Sequence, residues 1–488
     1  YACVATSGDT GDDSALTPGD TSDDTPGDSG ADTGPPAELT VSWSVAAVDG
    51  LTLAAHATVT ANAPLEVAVQ VVDPTGFPLR TAWTAAANEQ VVSVLGLRAH
   101  TEYRLRPLYR EADGTLGAGD WLPFTTGAVP STISGKEFTA PEGAVGDEGV
   151  TLFAPSPVAG SGTTPYVLGV DGQGQLVYYY DDPALSDTLI ANRNVRVLTT
   201  GELAVVLEGG FRTFWPTGAT TLEISRPYLH HDAVVMPSGN VLGLVYEDRE
   251  LVDDLTGETV TVRGDDVIEV TPDNELVWKW SSFDHLDPTR VGEGFVAGEN
   301  DTVFDWTHAN ALDYDPDTDR VLVSMRNQNW VVVVDHATGE VLDLLGAEGT
   351  RELGGAEWFH LQHGAEFVDG GITVFDNGLD DGSDSRALRY AVADGSGTID
   401  EIWSYDVGFY ARTMGEVDAL SDGSYLVTVG TADVSGTDAS EQRGFVRLDA
   451  VGKVAWELNI AQEGRFEIFR AERVHWLVEL SAEEAAIP

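Results

Sequence analysis

The stretch WFHLQHGAEFVDGGITVFDNG, Trp358–Gly378, carries the pattern from which the fold is read. Its right half is a β-hairpin: apolar alternation, an Asp-Gly-Gly turn at 369–371, then apolar alternation again. His363 stands where the first strand begins. Hairpins of the same kind recur as NVRVLTTGELAVVL (194–207), HDAVVMPSGNVLGLVY (231–246), HANALDYDPDTDRVLVSM (308–325) and GEVDALSDGSYLVTVG (415–430). A second kind, an apolar run ending in a turn and then a tryptophan-bearing or aromatic strand, alternates with the first. Its members are VLGVDGQGQLVYYY (167–180), VIEVTPDNELVWKW (267–280), VVVVDHATGEVLDLL (331–345), LRYAVADGSGTIDEIWSY (388–405) and FVRLDAVGKVAWELN (445–459). FRTFWPTGATTLEIS (211–225) fills the gap in that series, and GAVGDEGVTLFAPS (143–156) reads as a weaker first member of the first.

Two hairpins make a four-stranded sheet, and the alternation occurs six times between about 140 and 460. Four-stranded sheets repeated radially form a β-propeller, which removes long exposed edges by setting blades around an axis. The sequence therefore predicts an all-β chain with a six-bladed β-propeller over 128–488. The segment FEIFRAERVHWLVEL (466–480) is expected to supply the strand that locks the ring.

Upstream, residues 38–127 show short alternating strands without helical periodicity, which predicts a β-sandwich. The segment GLRAHTEYRLRPLY (96–109) resembles the fibronectin type III stretch in which a tyrosine, here Tyr103, anchors the corner before a long strand. Residues 1–37 are rich in Asp, Gly, Ser, Thr and Pro, too polar to offset their ordering entropy by burial, and are expected to be a disordered acidic tether. The chain has one cysteine, Cys3, so no internal disulfide forms. Its place after Ala2 and before the polar tract resembles the mature start of a bacterial lipoprotein, in which Cys3 carries the lipid; an incidental terminal cysteine is the other reading.

The formal charge of −54 excludes nucleic acid and an anionic membrane face as partners. No apolar run approaches the ~18 residues of a membrane-spanning helix. Membrane contact is therefore expected only through an N-terminal lipid anchor.

In a propeller the first strand of each blade lines the central channel, and its antiparallel neighbour ends at the rim where it began. Aligned on their turns, His231, His308 and His363 open the first strands of blades three, four and five, so all three are expected at one channel mouth. Arg326, just past the strand RVLVS, is expected beside His308. Asn310, two residues on, should share the side of His308, since strand side chains alternate. Asp376 and Asn377 should end near His363. Imidazoles and a guanidinium in one mouth suit an anion with several oxygens. Arginine offers a planar fork of donors, and neutral histidine is a nucleophile.

The frames HHDAVVMPSGNVL, FDWTHANALDYDPDTDRVLVSMRNQ and LQHGAEFVDGGITVFDNG resemble those of the bacterial aryl-sulfate sulfotransferases. The resemblance covers most of 140–475 with the motifs in order. It implies a six-bladed propeller, often with an N-terminal β-sandwich, that acts outside the cytoplasm. Such an enzyme moves a sulfuryl group from a small aryl sulfate to a phenolic acceptor without nucleotide donor or cofactor. By motif, His363 would be the nucleophile that becomes transiently sulfated. His308, Arg326 and His231 would bind the sulfuryl oxygens, with His308 also an acid or base toward the phenol oxygens. Asn310 matches the asparagine of the family's HxN. The family commonly has SSRHQ where this chain reads SMRNQ, which alters Met325 and Asn327. The pair HHD leaves His230 and His231 both open, with His231 preferred on register. Trp306, Trp358 and Phe359 flank the motif histidines and are candidates to clamp the phenol rings. The implied location is exported: periplasm, outer membrane or cell surface. A homo-oligomer is compatible with the sequence.

Three other readings compete with this one. Three histidines with Asp376 could bind a divalent transition metal, but Arg326 in the same cluster would repel a cation, so no metal is expected. DYDPDTD (313–319) spaces carboxylates like a calcium loop, yet lacks the glycine and closing glutamate of an EF-hand. A non-catalytic surface propeller that binds a ligand is the alternative function.

Overall fold

A computed structural model describes residues 38–131, 133, 138–140, 149–155, 166–181, 194–207, 209–252, 257–294, 302–379, 381–393, 397–433, 443–460 and 465–488. The acidic tether and Cys3 lie outside the described residues.

The strand Leu51–Val72 organises the N-terminal region. Along its first half it pairs with Val41–Val48 and Ala87–Val94; along its second half it pairs with Pro78–Arg80 and Glu102–Arg110. One strand thus passes from one ladder into the next. Its alternation puts Ala55, Ala57 and Val59, then Val67, Val69 and Val71, in the interior. The Tyr103 hydroxyl accepts a 2.9 Å hydrogen bond from the Arg98 N–H, five residues upstream. The chain's end returns here. Val478–Glu479 pairs with Pro78–Arg80, and Glu484, held by a capping box with Ser481, forms a 2.9 Å ion pair with Arg80.

Six blades follow, as the hairpin count predicts. Blade two holds Val195–Val197, Leu203–Leu207, Gly210–Phe214 and Thr220–Ser225. Blade three holds Leu229–Val235, Val241–Val252, Thr259–Val270 and Leu276–Ser281. Blade four runs Ala309–Asp315, Arg320–Met325, Trp330–Asp335 and Val341–Leu345. Blade five runs His363–Val368, Gly371–Asp376, Arg386–Ala391 and Thr398–Asp406. Blade six runs Glu416–Ala419, Tyr425–Thr428, Arg443–Leu448 and Val454–Ile460. Middle strands such as WVVVVD (330–335) are apolar on both faces because a neighbouring blade covers each face.

Blade one is where the structure departs from the hairpin reading. Val150–Pro155 is its second strand, as the second half of that hairpin would be, but the innermost strand is Arg465–Val474, from the end of the chain. Phe138–Thr139, from the start of the ring, adds to the outer edge of blade six. Each end of the ring therefore completes the other's blade, which covers two edges that a simple repeat would leave open. Residues 143–148 of the expected first strand lie outside the described residues.

Blade three is the other exception. Its second and third strands are paired over twelve residues each, well beyond the blade's other strands, and Val303–Asp305 runs parallel to Thr261–Arg263 along the extension.

Charged side chains cross the axis. Arg470, 1% exposed, contacts Glu416 at 2.6 Å, Asp232 at 3.3 Å and Glu366 at 3.6 Å. Arg196 pairs with Asp232 at 2.9 Å and Glu366 at 3.4 Å. Burial works against the charge of Asp232, but the two guanidiniums outweigh it and hold its carboxyl below the usual range. Other carboxyls go the opposite way. Burial, then the charge of Glu366, pushes Asp313 up to about 6, and burial pushes Glu472 up to about 7.

Glu472 therefore binds its proton more tightly folded than unfolded, and its contribution to stability is lost as pH rises from its ordinary value toward about 7. A Glu472→Gln variant, permanently neutral, is expected to gain on the wild type by on the order of 2 kcal/mol between pH ~4.5 and ~7.5. Urea midpoints of both proteins across that range test this. A constant difference would place the Glu472 carboxyl in ordinary solvent.

Candidate active site

The three motif histidines sit on irregular backbone, and the irregularity aims them. His231 and His308 have φ of 50° and 47°, in the left-handed region that a side chain rarely adopts. The inner strands of blades three, four and five each break register here, between His230 and Ala233, between Ala309 and Ala311, and between His363 and Glu366. Bulges re-aim side chains at strand ends. Gly364 follows His363 at φ 53°, where a Cβ would lie 2.6 Å from the Glu416 Cα, so the position requires glycine.

Strain of this kind costs about 1–3 kcal/mol per residue and persists only where neighbours hold it. Around His308 the holder is Asp265, whose Oδ2 accepts from the Thr307 hydroxyl and the Ala309 N–H, both at 2.6 Å. Asn194 donates to the His231 carbonyl at 3.1 Å.

The imidazoles of His231 and His308 lie with ring centroids 5.0 Å apart. Phe469, from the closing strand, lies 6.1 Å from the His231 ring and 6.3 Å from the His363 ring. Its neighbour Arg470 belongs to the ion cluster on the axis. The Arg326 N–H donates to the His308 carbonyl at 3.2 Å. Its guanidinium donates to the Asn327 Oδ1 at 2.8 Å.

Burial, then the nearby His230, His308, His363 and Arg326, hold His231 well below the usual imidazole range. Burial, then Arg326, does the same to His363, with His308 adding to it. Both are therefore neutral at pH 7. Burial also pulls Arg326 below the ordinary arginine value, against the pull of Tyr410 and Asp305, but a guanidinium stays charged. Arg326 thus stands as a fixed cation near two neutral imidazoles, His231 and His363.

Each imidazole is backed on Nδ1 by a different partner. His363 meets the Asn377 Oδ1 at 2.7 Å. The Asn377 amide nitrogen donates to the Ala411 and Met414 carbonyls, which fixes its oxygen toward His363. His363 therefore carries its proton on Nδ1 and a lone pair on Nε2. His308 Nδ1 lies 2.6 Å from the Asp305 Oδ2, a carboxylate that can only accept. His231 Nδ1 shares a hydrogen bond of 2.7 Å with His230 Nδ1. His230 itself stacks on Tyr246 at 3.7 Å and has its Nε2 3.1 Å from Asp265. His231 is thus the member of the pair next to His308, and His230 stands behind it.

Asn310 is fully buried and donates to the Gln362 carbonyl at 2.7 Å, stitching blade four to blade five; the bulge breaks the alternation that would have put it beside His308. Asp376 faces away from His363. It forms a 2.6 Å ion pair with Arg386 and accepts from the His360 and Gly378 N–H groups. Trp306 is 1% exposed, packs on Phe283 and donates to the Arg290 carbonyl. Trp358 packs among Phe359 and Tyr390 inside blade five.

In the altered SMRNQ, Met325 is core, and Asn327 ties Arg326 to the Asp305 carbonyl. Sequence reasoning missed Asp305 and Phe469. The spacing of Asp305 three residues before His308 was the signal for the first. A cavity of about 350 Å³ lies elsewhere, lined by Leu97, Arg98, Asp171 and Trp476, and holds none of these groups.

The family model described as Arylsulfotransferase (ASST) matches residues 147–465. The arylsulfate sulfotransferase AssT of Escherichia coli O6:H1 (strain CFT073) is 25% identical over 239 residues, 36% of this chain and 40% of that protein. The chain thus spans less than half the length of that relative. Among solved structures, a protein of unknown function from Bacteroides caccae superposes with a TM-score of 0.42 at 13% identity, covering 67% of this chain and 99% of that one. A putative 6-phosphogluconolactonase from Bacteroides fragilis gives 0.35 at 10% identity, covering 84% and 98%.

Proposed function

The chain belongs to the arylsulfotransferase family, and from that premise we propose that it moves a sulfuryl group from an aryl sulfate to a phenol through a sulfated His363. The observation that supports this most directly is the 2.7 Å bond that commits the Nδ1 proton of His363 to Asn377, on an imidazole that burial and the charge of Arg326 keep neutral, so that the lone pair is on Nε2. A neutral imidazole is the nucleophilic form.

In the first half-reaction, His363 Nε2 attacks sulfur in line and the donor phenol departs. In the second, the acceptor phenol attacks the sulfohistidine and frees the imidazole. The charge spread over the equatorial oxygens of sulfur is met by fixed donors, as in phosphoryl transfer. Arg326 supplies the guanidinium and His231 an imidazole. Neither has to reorganise during the reaction, because the backbone around both is held by bulges and buried side chains.

The reading extends beyond the ring. We take residues 38–127 as a fibronectin type III-like sandwich, supported by the strand that passes between two ladders and by the Tyr103–Arg98 corner bond. An exported enzyme is part of the same proposal, since a sulfuryl donor that needs no nucleotide suits a compartment without cytosolic activated sulfate.

The test is incubation with 4-nitrophenyl sulfate and phenol, following nitrophenolate release that depends on the acceptor. Mass spectrometry then looks for a sulfuryl group on the His363 peptide when the acceptor is withheld. Finding neither acceptor-dependent release nor a sulfated histidine peptide across a panel of aryl and alkyl sulfates would leave a ligand-binding propeller in place of an enzyme. Within the active protein, Arg326→Ala is expected to lower kcat by about 10²–10³, the usual loss of one donor to developing negative charge. Steady-state rates measure it, and a change confined to KM would show that Arg326 binds ground state and transition state alike.

A further inference from the structure

Of the three backing partners, Asp305 alone is a carboxylate, and it stands behind the least buried imidazole. His308 has 30% of its side chain exposed and Asp305 37%. His231 and His363 are 5% and 3% exposed. A proton shuttle needs what His308 has: access to water for exchange, and a counter-charge that lets it become a cation beside Arg326. We propose that Asp305 is a positioning residue that makes His308 the acid–base group of the transfer, leaving His363 as nucleophile and His231 as oxygen-binding imidazole. This rests on the transfer reading above.

The segment that carries Asp305 is held from several sides. Val303–Asp305 is paired with the blade-three extension, Arg263 opposite Asp305. The Trp306 N–H donates to the Arg263 carbonyl at 2.9 Å, and the Trp306 indole is anchored in the core. The Asn327 amide donates to the Asp305 carbonyl at 2.7 Å. The extension of blade three and the buried Trp306 thereby acquire a reason: they fix a carboxylate 2.6 Å from His308 Nδ1. Burial disfavours the charge of Asp305, but the bond and charge of His308, then Arg263, hold its carboxyl below the usual range, so it is an anion at pH 7.

With Nδ1–H committed to Asp305, His308 works through Nε2 in both half-reactions. As the His363 lone pair forms the N–S bond, the S–O bond breaks with its electron pair going to the donor oxygen, which takes the Nε2 proton of His308. In the return, the acceptor O–H gives its proton to His308 Nε2, an oxygen lone pair forms the new S–O bond, and the N–S pair returns to His363. His308 ends as it began, and no proton is gained or lost.

The experiment compares two donors in single-turnover phenol release. 4-Nitrophenolate leaves unaided, whereas phenolate needs a proton as it departs. Asp305→Asn is expected to slow phenyl sulfate by about 10²-fold or more, and 4-nitrophenyl sulfate by less than about tenfold. In a His308→Ala background, adding Asp305→Asn should change neither rate further, because its effect runs through His308. Equal losses on both esters, or a further loss in the His308→Ala background, would make Asp305 a structural residue and overturn the inference. A wild-type protein silent on both esters would instead sink the transfer reading, and this with it.

Discussion

Replacing His363 with asparagine is expected to reduce sulfuryl transfer to background, a loss on the order of 10⁴–10⁶ in kcat. Asparagine keeps a donor for the Asn377 carbonyl oxygen, so the hydrogen bond behind the imidazole has a successor and the blade-five strand keeps its register. What disappears is the Nε2 lone pair, and no neighbour replaces it in line. His231 is backed by a second imidazole, and His308 is committed to Asp305. The variant should bind aryl sulfates with near-normal affinity, since Arg326, His231 and His308 remain. Two measurements check this: turnover with 4-nitrophenyl sulfate and phenol, and mass spectra of the protein held with donor alone. Acceptor-dependent transfer within tenfold of wild type would mean that the phenol attacks the sulfate ester directly. So would parallel activity with no covalent adduct on any histidine. An adduct mapped to His231 or His308 would keep the ping-pong route and reassign the nucleophile.

The ring and the convergence of the histidines were readable because they depend on period and register alone. A hairpin turn marks where its strands lie, and aligning the turns of HDAVVMPSGNVL, HANALDYDPDTDRVL and HGAEFVDGGITVF puts three histidines at one height. What could not be read depends on breaks in that regularity. Asn310 was assigned by alternation, but a bulge between Ala309 and Ala311 turns it to the Gln362 carbonyl. Asp376 and Asn377 are consecutive, so the pleat sends them to opposite sides, and only the fold says that Asn377 is the one behind His363. Trp306 looked like a ring clamp from its place beside His308. The packing that buries it, against Phe283 and the Arg290 carbonyl, comes from sequence-distant segments with no repeat to reveal them. The charges on the inner strands, Arg196, Asp232, Glu366, Glu416 and Arg470, carry no mark in the sequence of what they pair with. Their pairing across the axis needed the closed ring.

That pairing sets the other large effect. Arg470→Met is expected to destabilise the protein by about 3–5 kcal/mol at pH 8, because removing one side of a buried ion cluster strands the other. Asp232 and Glu366 keep Arg196, but the Glu416 contact at 2.6 Å has no substitute. Burial already raises the Glu416 carboxyl well above the usual range, with Arg470 opposing that rise. Without Arg470 the folded chain holds that proton more tightly still. It then binds more protons than the unfolded chain at pH above ~4.5, and stability falls as pH rises. The loss from Arg470→Met should therefore be small near pH 5, where Glu416 is neutral, and reach its full size near pH 8. Adding Glu416→Gln should recover most of the loss at pH 8 and little at pH 5. Urea unfolding of the three proteins at both pH values decides it. An equal loss at both pH values would trace the defect to the lost packing of the Arg470 side chain instead of to stranded charge, and Glu416→Gln would then bring no recovery.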